Sequence, residues 1–146
     1  MTAEIATMKV NEQIDAMKVM AVDPIGYLAS PRVLGAIIMM PLLSALFLLC
    51  GVLSSYIIGV WLFNVDVGVF LEKIKWITKP TDVLGGFQKA AIFGAFFSLI
   101  STYIGFRAQS NAKGVGLATT KAVVISLVVI LVSDFFISYL QMSRIW

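Results

Sequence analysis

The feature that most constrains this chain is an uncharged stretch of sequence from Val33 to Val65. As one helix it would be about 50 Å long, because an α-helix rises by about 1.5 Å per residue, and this exceeds the roughly 30 Å of a bilayer's hydrocarbon core. The chain as a whole is 60% hydrophobic and 13% charged, whereas soluble domains are about a quarter charged. A chain of 146 residues cannot bury that much apolar surface in its own core, so the sequence predicts a membrane protein.

Two further segments have the composition of membrane spans. Ala90–Phe106 carries no charge, and Ala122–Ser143 carries only Asp134. We therefore predict an all-α, polytopic membrane protein with three transmembrane helices. The predicted spans cover about residues 32–63, 87–106 and 119–142. Small residues recur at close to helical spacing in the second span and predict close contact with another helix; they are Gly94, Ser98, Ser101 and Gly105.

The segment between the first two spans has an amphipathic pattern. Phe70, Ile74 and Ile77 recur at intervals of three and four residues, and charged residues lie between them. This pattern predicts a short helix at the membrane surface within about residues 66–81, ended by Pro80.

Composition also excludes several classes of function. The chain has no histidine and a single cysteine, Cys50, which lies in the first apolar run. Histidine-based catalysis, disulfides within the chain and most zinc sites are therefore excluded. We also expect no catalytic residue, no metal site and no cofactor bound by this chain. The net charge of +3 is spread thinly along the sequence, whereas nucleic-acid binding requires clustered cations.

The first 24 residues differ from the rest because they are rich in charge. Residues 3 to 20 are predicted to form one helix, which Asp23-Pro24 ends. Opposite charges at Lys9 and Glu12, and at Asp15 and Lys18, lie three residues apart on its polar side. Its apolar stripe is formed by Ile5, Met8, Ile14, Met17 and Met20.

Such a helix is too polar to span a bilayer, since each charge at the bilayer centre would cost a few kcal/mol. It could rest on the lipid surface, but helices of that kind usually have a strongly basic polar face and aromatic anchors. A charge-balanced helix with methionines favours docking to a cytoplasmic partner protein instead.

Lys89 lies at the start of the predicted second span, and Asp134 lies about two-thirds of the way along the third. Because consecutive spans run antiparallel, both residues fall towards the same leaflet, and an unpaired ion there is costly. One hypothesis is a Lys89–Asp134 pair, or pairing with a residue outside this chain. The alternative is that Lys89 extends to the interface while Asp134 bonds to Ser133 or Ser138.

Several motifs resemble those of the MlaE/YrbE family, the permease subunits of Mce-type ABC transporters. The most specific is the opening segment "AEIATMKVNEQIDAMKVMAVDPIGYLASPR". The resemblance continues through "MMPLL", "KAAIFGAFFSLISTYIGF" and "GVGLATTKAVVISLVVILVSDFFISYL", and so covers nearly the whole chain.

The resemblance implies a division into a cytoplasmic coupling helix and turn, residues 1–24, and a transmembrane permease region, residues 25–146. The three spans would be the last three of the family's five, and the chain would be the C-terminal portion of a longer permease. Residues 66–81 would face the periplasm. The helix would couple to an ATPase subunit through Glu4, Ile5, Met8, Lys9, Glu12, Asp15 and Met17.

By the same resemblance, the chain would be the permease subunit of a transporter that moves phospholipid or a related lipid between the inner and outer membranes of a bacterium. It would not itself be an enzyme, because ATP and Mg would bind the partner ATPase. The other expected partners are an Mce-domain protein, a second permease copy and the lipid. Lys89 and Asp134 would form an intramembrane polar pair near the lipid cavity that rearranges as the transporter cycles. The lipid path would be lined by Leu42, Leu46, Leu49 and Leu53.

A hypothesis from another class is a membrane scaffold that anchors a cytoplasmic protein without transporting anything. It needs the docking helix but no energised cavity. Co-purification with an ATPase, together with stimulation of ATP hydrolysis by lipid, would distinguish the two.

Overall fold

The computed structural model describes residues 1–143, and all regular secondary structure in these residues is helical. π-Helical segments at Ile25–Ala29 and Ile57–Leu62 lie directly before and after the α-helix Ser30–Tyr56. The α-helices are α1 (Thr2–Val10), α2 (Gln13–Val19), α3 (Ser30–Tyr56), α4 (Val67–Ile77), α5 (Pro80–Phe106) and α6 (Ala112–Ser143).

The predicted all-α fold with three membrane-spanning helices is confirmed. Three helical stretches are long and apolar enough to cross a bilayer, namely Ile25–Leu62, Pro80–Phe106 and Ala112–Met142. Each begins about seven residues before the predicted span, because apolar composition marks only the part suited to lipid, whereas the backbone hydrogen bonds of a helix continue into polar sequence. The end of the predicted permease region, residues 144–146, lies outside the described residues.

Pro80 does not end the amphipathic helix, as the sequence pattern suggested, but begins the following helix. α4 ends at Ile77, and Pro80 occupies the first position of α5. Proline is well tolerated there because the first amide groups of a helix have no partner within the helix. α4 itself begins at Asp66, whose side chain accepts hydrogen bonds from the amides of Gly68 and Val69 at 2.8 and 3.2 Å.

α5 lies at the centre of the bundle, between α3 and α6, and α1 packs on both α5 and α6. The small-residue stripe of α5 makes the close contacts that its spacing predicts. A Cβ atom at Gly94 would lie 2.7 Å from the carbonyl oxygen of Ala36, and one at Gly105 would lie 2.9 Å from Cβ of Ile5. Glycine is therefore required where α3 and α1 cross α5.

The buried core lies at the end of the bundle where α1 and α2 pack. It consists of two apolar clusters, Ala6 with Ile104, Ala108, Ala118 and Ala122, and Ile5 with Ile14 and Leu28. By contrast, α3 has no buried residue. The apolar side chains of α3 are the kind of surface that a bilayer covers.

Candidate functional site

The N-terminal segment is divided into two helices, although the sequence predicts one. The break falls at Asn11 and Glu12, and Glu12 has a φ of 57°, in the left-handed region. Side chains with a Cβ atom rarely adopt this conformation because Cβ approaches the backbone too closely. The break gives α1 and α2 separate orientations, so their exposed faces are no longer one continuous stripe.

α1 is attached to the bundle by both apolar and polar contacts. Ile5 is fully buried. Thr2 Oγ1 donates a hydrogen bond to the Ser101 carbonyl at 3.1 Å, and Lys9 Nζ donates one to the Phe106 carbonyl at 2.9 Å. The expectation that Ile5 contacts a partner protein therefore needs correction, since burial against α5 leaves no surface for a partner to contact.

The methionines of the predicted docking stripe are also partly used within the chain. Met8 and Met17 pack against the buried cluster of Ile5, Ile14 and Leu28. Both methionines remain partly exposed. Each methionine therefore contacts the buried core of the bundle while part of its side chain stays on the surface of the segment.

The exposed part of the segment includes its acidic residues and the end of α2. Glu4, Glu12 and Asp15 are exposed. Met20 is 66% exposed, and Val19, which did not belong to the predicted stripe, is 88% exposed. Because the helix is interrupted at Glu12, the side chains of α2 do not point in the directions that a single helix over residues 3–20 would give them. The apolar stripe predicted for that single helix therefore does not include Val19.

Two ion pairs hold charged side chains of this segment in place. Lys18 Nζ lies 2.8 Å from Asp15 Oδ1, and Arg32 Nη2 lies 3.6 Å from Glu4 Oε2. The pKa of the Asp15 carboxyl is lowered because Lys18 donates a hydrogen bond to it and carries the opposite charge. The pair therefore favours the folded state at neutral pH, and its small contribution is lost as the pH falls through this lowered pKa.

At the other end of the helices, the structure brings Lys89 and Asp134 together with a third polar residue. Lys89 Nζ lies 3.1 Å from Asp134 Oδ1 and donates a hydrogen bond to Ser138 Oγ at 2.6 Å. Ser138 Oγ in turn lies 3.5 Å from Asp134 Oδ1. The cluster thus contains the Lys89–Asp134 pair of the first hypothesis. It also contains Ser138, which the alternative hypothesis gives as a partner of Asp134.

Lys89 also lines a cleft between the ends of α5 and α6. The cleft includes Asp82, Gly85 and Gln141. Gln141 Nε2 lies 3.5 Å from the Gly85 carbonyl across it. The polar cluster is therefore continuous with a polar opening at this end of the bundle.

The leucines predicted to line a lipid path lie along α3, and each is more than half exposed. They are Leu42, Leu46, Leu49 and Leu53. They form an outward-facing apolar surface, and their role in a lipid path stays a prediction.

Comparison with known proteins identifies the family of this chain. A family model described as permease MlaE matches residues 1–140. The chain is 45% identical over 138 residues to a probable ABC transporter permease protein of Rickettsia conorii, covering 94% of this chain and 53% of the relative. It is 39% identical over 139 residues to a probable ABC transporter permease protein of Synechocystis sp., covering 95% and 53%.

A plant relative is the chloroplastic protein TRIGALACTOSYLDIACYLGLYCEROL 1 of Arabidopsis thaliana. It is 36% identical over 136 residues, which cover 93% of this chain and 39% of the relative. The chain thus spans about half the length of the two bacterial relatives and less of the plant protein. With the family match and three helices suited to a bilayer, the chain belongs to the MlaE permease family of multi-pass membrane proteins.

Proposed function

We propose that this chain forms part of the membrane-embedded permease of an ABC transporter that moves phospholipid or a related lipid between the inner and outer membranes. In this proposal, the α1–α2 segment transmits movement from an ATPase subunit to the bundle. ATP and Mg bind the ATPase subunit, and this chain carries no catalytic residue.

The observation that carries the proposal is the way in which the α1–α2 segment is attached. α1 is fixed to α5 by the burial of Ile5 and by hydrogen bonds from Thr2 and Lys9. α2 carries the exposed charges of Asp15 and Lys18 and ends with the exposed Val19. A force applied to α2 by a bound protein would therefore reach α5 through α1, since buried contacts of this kind are not easily deformed.

A lipid substrate is supported by two observations. The name of the Arabidopsis relative contains that of a glycolipid, trigalactosyldiacylglycerol. In addition, the exposed leucines of α3 provide an apolar surface for acyl chains, which need no specific hydrogen bonds.

The other proposed partners are those that the resemblance to this family implies. We propose an Mce-domain protein and a second permease copy as further subunits, and the bacterial inner membrane as the location. We place α1 and α2 on the cytoplasmic side of that membrane and α4 on the periplasmic side. The amphipathic surface of α4 suits the membrane interface there.

The test is a charge reversal at Asp15 in the assembled transporter, with Glu72→Lys as the matched control. Both residues are exposed acids on short helices, but only Asp15 lies on the proposed docking segment. We expect Asp15→Lys to reduce co-purification of the ATPase subunit and ATP-dependent lipid transfer between vesicles, with membrane insertion unchanged. Glu72→Lys should change none of these.

If Asp15→Lys retains both ATPase association and lipid transfer, the docking assignment is wrong. If the ATPase associates but lipid neither stimulates ATP hydrolysis nor is transferred by the unmodified assembly, the chain is a scaffold that anchors its partner. The two measurements therefore separate docking from transport.

A further inference from the structure

A groove between α5 and α6 changes from apolar to basic along its length. Its apolar part is lined by Leu99, Ile100, Tyr103, Ile104 and Ile125. Ile104 also lines the adjoining cleft, which reaches the α5–α6 connection and includes Arg107, Gln109, Leu117 and Lys121. The apolar groove thus adjoins, at Ile104, a cleft that contains two cations.

These two cations line the same cleft, whereas Lys9 and Lys79 line clefts that also contain aspartates. Within residues 1–143, Lys18, Arg32 and Lys89 each form a salt bridge with a carboxylate, whereas Arg107 and Lys121 form none. The guanidinium of Arg107 lies 4.7 Å from the centre of the Tyr103 ring, which orients it at the mouth of the groove. Neither cleft is lined by an acidic residue, so the basic end is available to an anion.

We propose that this groove binds one phospholipid with an anionic headgroup. Arg107 and Lys121 hold the phosphate, because arginine and lysine in basic pockets between membrane helices attract anionic headgroups. One acyl chain lies in the apolar part, against Leu99, Ile100 and Ile125. Gln109, at the same end, is placed to donate a hydrogen bond to the headgroup.

A lipid fits the groove better than other anions do. The apolar part lies within helices that are suited to hydrocarbon, so the ligand needs an apolar chain there as well as a negative charge at the end. Free phosphate would use only the basic end and would leave the apolar part to bulk lipid. An acidic peptide would have to place its backbone polar groups at membrane depth, where unsatisfied hydrogen bonds are costly.

This lipid is a resident ligand and not the transported one, so the proposal goes beyond the proposed function. The groove lies at the end of the bundle where α1 packs on α5 and α6. The lipid would fill the space beside the buried residues Ile104, Ala108 and Ala118. Binding at this site requires neither an ATPase subunit nor transport.

The test uses the purified 146-residue chain in nanodiscs that contain phosphatidylglycerol and phosphatidylcholine in equal amounts. Lipids that remain bound after transfer to detergent are counted by native mass spectrometry. The variant is Arg107→Gln with Lys121→Gln, and the control is Lys113→Gln, an exposed lysine of the same region that does not line the groove. Lys121→Gln alone is a second variant, because it leaves the Arg107–Tyr103 contact intact.

We expect one phosphatidylglycerol per chain in the unmodified protein and in Lys113→Gln. Loss of both cations should reduce its retention by about thirtyfold, and loss of Lys121 alone by about fivefold, since each basic residue near an anionic headgroup contributes a factor of about five. Phosphatidylcholine binding should be weak in all proteins, and inorganic phosphate at millimolar concentration should not displace the lipid.

Equal retention of the two lipids would overturn the proposal, and so would equal losses in the control and the double variant. Displacement by inorganic phosphate would mean that the basic end recognises phosphate without a lipid. This experiment measures binding and not transport, so a negative result would not bear on the proposed transporter function. Conversely, a failure of lipid transfer in the assembled transporter would not bear on lipid binding at this groove.

Discussion

Lys89 of α5 and Asp134 of α6 form an ion pair between two spanning helices, with Nζ and Oδ1 3.1 Å apart. The Lys89 side chain is 22% exposed and that of Asp134 is 50% exposed. In apolar surroundings each charge would be costly alone, so the pair, joined by Ser138, is the arrangement that makes both tolerable. The cluster therefore fixes the relative position of α5 and α6 at the end opposite to α1.

Replacing Asp134 by Asn should destabilise the bundle because Lys89 then keeps its charge without a counter-ion. We expect a loss of about 1–2 kcal/mol, less than for a fully buried pair because Asp134 is half exposed. Thermal unfolding in detergent micelles, followed by circular dichroism, measures the change. The double variant Lys89→Met with Asp134→Leu should recover most of the loss, since it removes both charges.

Asp82→Asn is the matched control, because Asp82 is an exposed aspartate in the first turn of α5 and has no salt bridge within the described residues. It should change stability by less than about 0.5 kcal/mol. An equal loss in both variants would contradict a stabilising pair. The further hypothesis that the pair rearranges during transport is separate, and unchanged lipid transfer by Asp134→Asn would count against it.

The contact between Lys89 and Asp134 could be predicted because few alternatives exist for charges in apolar spans. Composition fixes the spans, antiparallel packing brings the two residues to the same leaflet, and the cost of an unpaired ion selects a partner. The third member, Ser138, follows from its position one turn after Asp134 on the same helix.

The structure of the N-terminal segment could not be predicted in the same way. The break at Asn11 and Glu12 has no glycine or proline to mark it. The burial of Ile5 depends on its meeting Gly105, a residue far away in sequence. A helical pattern identifies an apolar side but not what covers it, so the sequence alone does not show that Ile5 packs within the chain.

Gly94→Ala should separate α3 from α5. The added Cβ would lie 2.7 Å from the carbonyl oxygen of Ala36 and 2.9 Å from Cγ of Met40, and a backbone carbonyl cannot move aside without shifting its helix. We expect a loss of about 1–3 kcal/mol in the free energy of unfolding. Unfolding in micelles provides the measurement.

Gly86→Ala, on the same helix, is the control for Gly94→Ala because no atom outside the adjacent helix backbone lies within 4 Å of the added Cβ. It should be neutral or stabilising by up to about 1 kcal/mol, since alanine favours the helix more than glycine does. If Gly94→Ala behaved like Gly86→Ala, α3 and α5 would not be in close contact at this point.

Ile5→Ala should loosen α1 from the bundle. Ile5 is fully buried, so its truncation should cost about 2–4 kcal/mol through lost apolar contacts and the cavity left behind. The same change at Ile77, which is 63% exposed on α4, should cost less than about 0.5 kcal/mol. Limited proteolysis after Lys9 and Lys18 gives a local measure, because only Ile5→Ala should make these sites more accessible. Equal protection in both variants would contradict anchoring of α1 by Ile5.

Glu12 offers the last test, because its left-handed conformation is strained for any residue with a Cβ atom. Glu12→Gly should remove that strain and raise stability by roughly 0.5–1 kcal/mol, after allowance for the greater freedom of glycine in the unfolded chain. Glu12→Val should lower stability by about 1 kcal/mol or more, since β-branched residues are the least suited to positive φ.

Gln13→Gly, one residue later and inside α2, is the control and should instead lower the free energy of unfolding by about 1 kcal/mol. Unfolding in micelles distinguishes these outcomes, and a destabilising Glu12→Gly would mean that residues 3–20 form the uninterrupted helix that the sequence pattern predicts.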